Sequence, residues 1–128
     1  MKPVIQIKKS DRVLVVEDNP QRRMWFQRNI PQARICATPA DALTNVDNSW
    51  HVLFLDHEAG VQAEATAGVQ GDTFMPVAVA FADIQFPGRV IIHSFNPAGA
   101  KRMNCLLARH AQEVIWMPFG TFDIELVD

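Results

Sequence analysis

The sequence predicts an α/β fold, a five-stranded parallel sheet with helices on both faces. Three observations predict it. Short, almost continuous apolar runs recur five times along the chain. Segments with helical spacing of apolar residues separate them. Three of those segments open on the same signal, a capping side chain followed directly by proline.

The first strand is placed at Arg12 to Val16, where Val13-Leu14-Val15-Val16 is apolar at every position. Such a run suits a parallel strand buried on both faces rather than an alternating, half-exposed one. Asn19-Pro20 then starts a helix. The Asn oxygen accepts an orphan N–H, and proline at the first helical position loses no bond. Phe26 and Ile30, four apart, share its inner face. The second strand is placed at Ala33 to Cys36. Thr38-Pro39 starts the second helix, with Leu43 and Val46 three apart on its core face. Val52 to Leu55 is the third strand. A helix following Asp72 carries Phe74, Val77, Phe81 and Ile84 at spacings of three, four and three, and Pro76 is tolerable in its first turn. Arg89 to Ile92 is the fourth strand. Asn96-Pro97 starts a helix with Ala100, Met103 and Leu107 on one face. Glu113 to Trp116 is the fifth strand. Pro118-Phe119-Gly120 then breaks the chain, so a fifth helix is expected to be short or absent. Val4 to Ile7 is expected as a short edge strand before the first. The stretch from Ala59 to Gly71, rich in Ala, Gly and Gln, reads as a loop.

Of the 128 residues, 48% are hydrophobic and 20% charged, the balance of an ordinary globular domain. One domain spanning 1–128 is the expectation. No apolar run approaches the ~20 residues of a membrane helix, and the first residues lack the apolar stretch of a secretory signal, so a cytoplasmic location is expected. A net charge of −2 lacks the basic excess of a duplex-DNA binder. Small anionic ligands remain compatible with it, because helix N-termini bind them without net positive charge. Cys36 and Cys105 are too few for a disulfide scaffold and read as buried thiols. Trp25, Trp50 and Trp116 read as core.

The informative polar residues gather at strand ends. Glu17-Asp18 follows the first strand, Asp56-His57-Glu58 the third, and His93-Ser94 the fourth, with Asn96 just beyond. In an open α/β sheet ligands bind beyond the carboxyl ends of the strands. In strand order 2-1-3-4-5 these three strands are neighbours, so Glu17, Asp18, Asp56, His57, His93 and Ser94 should ring one crevice. Crowded carboxylates attract a hard divalent cation, Mg²⁺ or Mn²⁺. The histidines offer further ligands or an acid and a base near neutral pH. Ser94 and the helix start at Asn96 offer donors to a phosphoryl oxygen, and Lys101 lies one turn further on. The bland alternatives are that Asp18 is a turn residue, Glu58 a solvated loop residue and Lys101 a surface lysine.

These residues also carry a resemblance. Val15 to Pro20, Leu53 to Asp56 and Ile91 to Ser94 resemble a response-regulator receiver domain, which implies a flavodoxin-like (receiver-like) five-stranded parallel sheet, an acidic pair at Glu17 and Asp18, a phospho-accepting Asp56 and a phosphoryl-binding Ser94. Two departures stand out. Receivers carry a lysine after the fifth strand, where this chain has Met117-Pro118-Phe119, and they lack histidines at the positions of His57 and His93. With those histidines, Glu17 to Pro20, Leu55 to His57 and His93 to Ala100 are similar to an offshoot, the cyclic-phosphate processing receiver-like domain. That resemblance implies metal-dependent hydrolysis or processing of a cyclic phosphate, an RNA 2′,3′-cyclic phosphate end or a cyclic nucleotide. Glu17, Asp18 and Asp56 would then hold the metal, His57, His93 and Ser94 would be catalytic, and Ser94, Asn96 and Lys101 would bind phosphate. The alternative is a non-catalytic signalling or binding module on the same fold.

Overall fold

The computed structural model describes residues 1–58 and 73–128. The stretch read as a loop, Ala59–Gly71, and Asp72, after which the sequence predicts a helix, lie outside the described residues. The chain runs β1 (Val4–Lys8), β2 (Val13–Val16), α1 (Pro20–Asn29), β3 (Arg34–Cys36), α2 (Pro39–Leu43), β4 (Val52–Leu55), α3 (Met75–Asp83), β5 (Arg89–Ile92), α4 (Pro97–Leu107), β6 (Glu113–Trp116) and β7 (Asp123–Val127). The five-stranded sheet is parallel throughout in the order β3-β2-β4-β5-β6, which is the predicted 2-1-3-4-5.

The proline-led helix starts form as the sequence requires. Asn19 Oδ1 accepts the N–H groups of Gln21 and Arg22, Thr38 Oγ1 that of Asp41, and Asn96 Oδ1 that of Gly99. The helix α3 ends without glycine in a Schellman turn. Gln85 takes a positive φ of 57°, and Phe86 and Gln85 return their N–H groups to Phe81 and Ala82.

Successive strand residues point to opposite faces, so the apolar strands feed two cores. Leu14, Val16, Leu53, Leu55, Val90 and Ile92 face α2, α3 and α4. Val13, Val15, Val52, Phe54 and Ile91 face Phe26 and Ile30 at the α1 end of the other side. That second side is completed by a feature the sequence did not announce. β1 and β7 pair as a separate two-stranded parallel ribbon, with Val4 opposite Asp123 and Lys8 opposite Val127. Ile5, Ile7 and Phe122 press into the sheet. The expected edge strand at Val4–Ile7 therefore exists but does not join the main sheet. Together with β7 it covers the face beside α1 where a further helix would otherwise lie.

Three expectations about single residues are corrected. Leu43 is exposed, because α2 stops after five residues and Ala42 takes the core position. Cys105 is exposed on α4, while Cys36 is buried. Trp116 is largely exposed at the end of β6, where its indole N–H donates to the Ser94 carbonyl at 2.7 Å, whereas Trp50 is buried. No helix among the described residues is long and apolar enough to cross a membrane.

Candidate functional site

The sheet register decides which polar residues meet. Val16 pairs with Leu55, and Leu55 with Ile92. One step further along, the ladder still holds: Asp56 N–H bonds the Val16 carbonyl and His93 N–H the Leu55 carbonyl. Glu17, Asp56 and His93 thus form one row across three neighbouring strands, spaced by the ordinary inter-strand distance. All three are buried, and ligand-capable atoms from each lie within 4.8 Å of one another. This buried acidic and imidazole cluster can hold a metal ion.

The next residues of β4 and β5, His57 and Ser94, turn to the opposite face, whereas Asp18, beyond the end of β2, keeps its carboxyl beside Glu17. His57 packs its ring under α4. A Cβ at Gly99 would sit only 2.4 Å from His57 Cγ, so only glycine lets the helix approach this closely. His57 Nδ1 lies 2.8 Å from Glu58 Oε1, which also accepts the Asn96 amide N–H at 2.7 Å. Glu58 is therefore tied to the start of α4 rather than simply solvated. Buried Ser94 directs its hydroxyl oxygen to the Asn96 N–H at 2.9 Å. Asp18 is partly buried, and its backbone carbonyl accepts from Arg23. Lys101 lies on the exposed side of α4, in a groove with Cys105 and Trp116. Of the six residues expected in a single crevice, Glu17, Asp56 and His93 form one cluster with Asp18 beside Glu17, and His57 and Ser94 lie on the other face.

Within the cluster, His93 Nε2 donates to Glu17 Oε1 at 3.1 Å. Glu17 Oε2 accepts the Asn19 N–H at 3.0 Å, and Arg22 lies 3.7 Å from Oε1. Burial alone would raise the Glu17 pKa, but the His93 hydrogen bond and charge, the Asn19 N–H and Arg22 outweigh it and hold the carboxyl down to about 2. Asp56 goes the other way. Burial, reinforced by the charge of Glu17, exceeds the pull of His93 and of the His57 N–H and pushes its pKa up to about 6. Asp18 is also raised, by burial and by Glu17. Two carboxylates sharing a buried row repel, and one responds by holding its proton more tightly. Two ring nitrogens, His93 Nδ1 and His57 Nε2, are buried with no hydrogen-bond partner among the described residues, an uncommon state for imidazole.

Sequence reasoning missed Arg22 and Phe95. The Arg22 guanidinium lies 4.9 Å from the Phe95 ring centroid and 5.1 Å from that of Phe119. A signal was available: α1 has no acid in its first turn and carries Arg22 and Arg23 there, where the helix dipole disfavours cations. A larger groove of about 630 Å³, lined by Lys8, Trp50, His51 and Arg89 among others, opens near the amino ends of the sheet strands, away from the end where this fold class places its ligands.

The architecture and the acidic edge define a doubly wound α/β protein with its polar site at the carboxyl ends of the central strands. The particular fold is the flavodoxin-like receiver fold. The chain is similar to a CheY-like response regulator receiver domain protein from Methanospirillum hungatei JF-1, at TM-score 0.58 and 12% identity over 87% of this chain and 84% of that one. It is similar to a response regulator from Colwellia psychrerythraea, at TM-score 0.57 and 16% identity over 87% of each. It is also similar to response regulator Rcp1 in its Mn(2+)-bound form, at TM-score 0.56 and 13% identity over 84% of this chain and 80% of that one. No family model matches the chain, and no curated protein matches it.

Proposed function

We propose that this chain is a receiver-like signalling or binding module that works through a divalent-cation site made by Glu17, Asp56 and His93. One observation carries the reading: two carboxylates and an imidazole in one buried row, with the carboxyl of Asp56 pushed up to about 6 by burial and by Glu17. A cation there would remove the repulsion that the row otherwise contains. Two oxygens and one nitrogen favour Mn²⁺ over the purely oxygen-loving Mg²⁺. The similarity in fold to a response regulator described in an Mn(2+)-bound form is consistent with this. An ordinary phospho-accepting switch is disfavoured. Asp56 is only 4% exposed, one of its oxygens already accepts the His57 N–H, and Met117-Pro118-Phe119 supplies no lysine.

A second reading, hydrolysis of a cyclic phosphate at the same site, is favoured by the Nδ1 of buried His93, which has no partner among the described residues. When bound, the cation would supply Lewis acidity towards a phosphoryl oxygen. The chain's own part would be proton transfer. His93 has no hydrogen-bond partner at Nδ1 among the described residues and would be the proton-transfer group, whereas Asp56, with the cation bound, would be an ionised ligand. His57, Ser94 and Asn96 would hold the first turn of α4 in place.

The deciding experiment titrates Mn²⁺ into the protein and then screens the loaded protein against RNA 2′,3′-cyclic ends, cyclic nucleotides and smaller cyclic esters. Saturable Mn²⁺ binding that Asp56→Asn abolishes, without turnover, supports the module. Turnover that His93→Ala lowers by roughly 10²–10⁴-fold, the usual worth of a general acid or base, supports the hydrolase. Absence of Mn²⁺ binding refutes the cation site on which both depend.

A further inference from the structure

We propose that Arg22 is the oxyanion-binding residue of this site and that its ligand is a phosphoryl group seated over the Glu17–Asp56–His93 row, an inference that rests on the cation-site reading above. Two arginines stand in the first turn of α1 against the helix dipole, and they are used differently. Arg23 gives its guanidinium to the backbone carbonyl of Asp18. Among the described residues Arg22 donates no side-chain hydrogen bond, and its contact with Glu17 Oε1, at 3.7 Å, is an ion pair outside hydrogen-bonding distance.

Arg22 is nevertheless held in place. Its guanidinium lies near the Phe95 ring, 57% exposed, and the Phe119 ring, at 4.9 and 5.1 Å. Aromatic contacts of this kind fix a planar cation without consuming its N–H groups. The side chain remains 28% exposed, so the donors reach solvent beside the row. Five donors in a rigid fork match the oxygens of a phosphoryl group better than a single ammonium does.

The pairing also sets an order. In the cation-free protein the charge of Glu17 attracts Arg22. Once Glu17 directs that charge to a cation, the pull on Arg22 weakens, with Asp18 still attracting it, and its fork turns to an anion. Cation and phosphoryl group should therefore bind cooperatively, with Arg22 working against the cation and for the anion.

The test measures Mn²⁺ affinity by electron paramagnetic resonance. It measures inorganic phosphate affinity by calorimetry, in Mg²⁺ and in EDTA, for wild type, Arg22→Ala and Arg22→Lys. Arg22→Ala should weaken phosphate by roughly 10- to 100-fold, the worth of hydrogen bonds to a charged group, while Mn²⁺ affinity stays equal or rises. Arg22→Lys, which keeps the charge but loses the fork, should fall between. Opposed shifts of this kind cannot come from a merely damaged fold. If Arg22→Ala leaves phosphate within twofold of wild type, or weakens Mn²⁺ and phosphate together, the proposal is overturned. It is overturned as well if wild type binds no phosphate in either medium. If wild type binds no Mn²⁺ but loses phosphate affinity on Arg22→Ala in EDTA, the cation reading fails and this assignment stands.

Discussion

Replacing Gly99 by alanine should destabilise the protein, although the same change in most helices does the opposite. Gly99 is the third residue of α4 and has an ordinary helical backbone, so an added methyl would by itself stabilise by roughly 0.5–1 kcal/mol. The methyl carbon, however, would lie 2.4, 2.5 and 2.7 Å from His57 Cγ, Cδ2 and Nδ1. Ordinary contact begins near 3.4 Å, so helix and ring must separate by about 1 Å. The ring has little room to yield. His57 is 3% exposed, its Nδ1 is bonded to Glu58, its N–H to Asp56, and its carbonyl accepts the Phe74 N–H at 2.8 Å. Overpacking of a fixed core group costs typically 1–3 kcal/mol, and breaking the contact with Glu58 adds about 1 kcal/mol. The net expectation is a loss of about 2 kcal/mol, or roughly 8 °C in Tm for a chain of this size. Urea denaturation of wild type, Gly99→Ala, His57→Ala and the double variant measures it. With the ring gone, Gly99→Ala should change sign and stabilise by about 0.5–1 kcal/mol. A stabilising Gly99→Ala in the wild-type background, or a destabilisation that persists without His57, would refute the contact as the reason for glycine here.

Four further outcomes are expected. In the cation-free protein, Asp56 has a folded pKa of about 6 against 3.8 when unfolded; its ionised form costs about 3 kcal/mol above pH 6, and that cost vanishes as pH falls towards 4. Glu17, about 2 folded against 4.5 unfolded, contributes stability above pH 4.5 that is lost as pH falls towards 2, so stability measured against pH in EDTA should peak near pH 4–5. Asp56→Asn should remove the upper limb, stabilising the cation-free protein at pH 8 by about 1–3 kcal/mol while abolishing Mn²⁺ binding; a pH profile unchanged by it sinks the like-charge account. Glu17→Gln and His93→Ala should each weaken Mn²⁺ at least tenfold, and Asp18→Asn less, because Asp18 neighbours Glu17 but is not among the three residues whose ligand atoms converge; an equal effect of Asp18→Asn would make it a fourth ligand. Gln85→Gly should stabilise by about 1 kcal/mol, since Gln85 occupies a left-handed position, and an unchanged urea midpoint would contradict that.

Most of the main sheet was legible because its signals are local. Val13–Val16, Val52–Leu55 and Arg89–Ile92 are short runs whose apolar character needs no partner to be seen, and the Asn19, Thr38 and Asn96 caps each announce a helix within three residues. The ribbon was not legible, because it depends on a pairing between residues more than a hundred positions apart. Val4-Ile5-Gln6-Ile7 alternates like any edge strand, and Asp123-Ile124-Glu125-Leu126-Val127 is too polar at every second position to announce its partner. The site was half legible in a more instructive way. Its six residues were all at the right strand ends, and the error was to treat nearness in sequence as nearness in space. Alternation along a strand is local information: Glu17, Asp56 and His93 have the parity of Val15, Phe54 and Ile91, whereas His57 and Ser94 have that of Leu55 and Ile92. Once the three strands are in register, Asp56 and His57 cannot both serve one centre, nor can His93 and Ser94. The two buried histidines, which looked like a catalytic pair in the sequence, are divided by the sheet: one joins the carboxylates, and the other holds α4 against the strand that presents them.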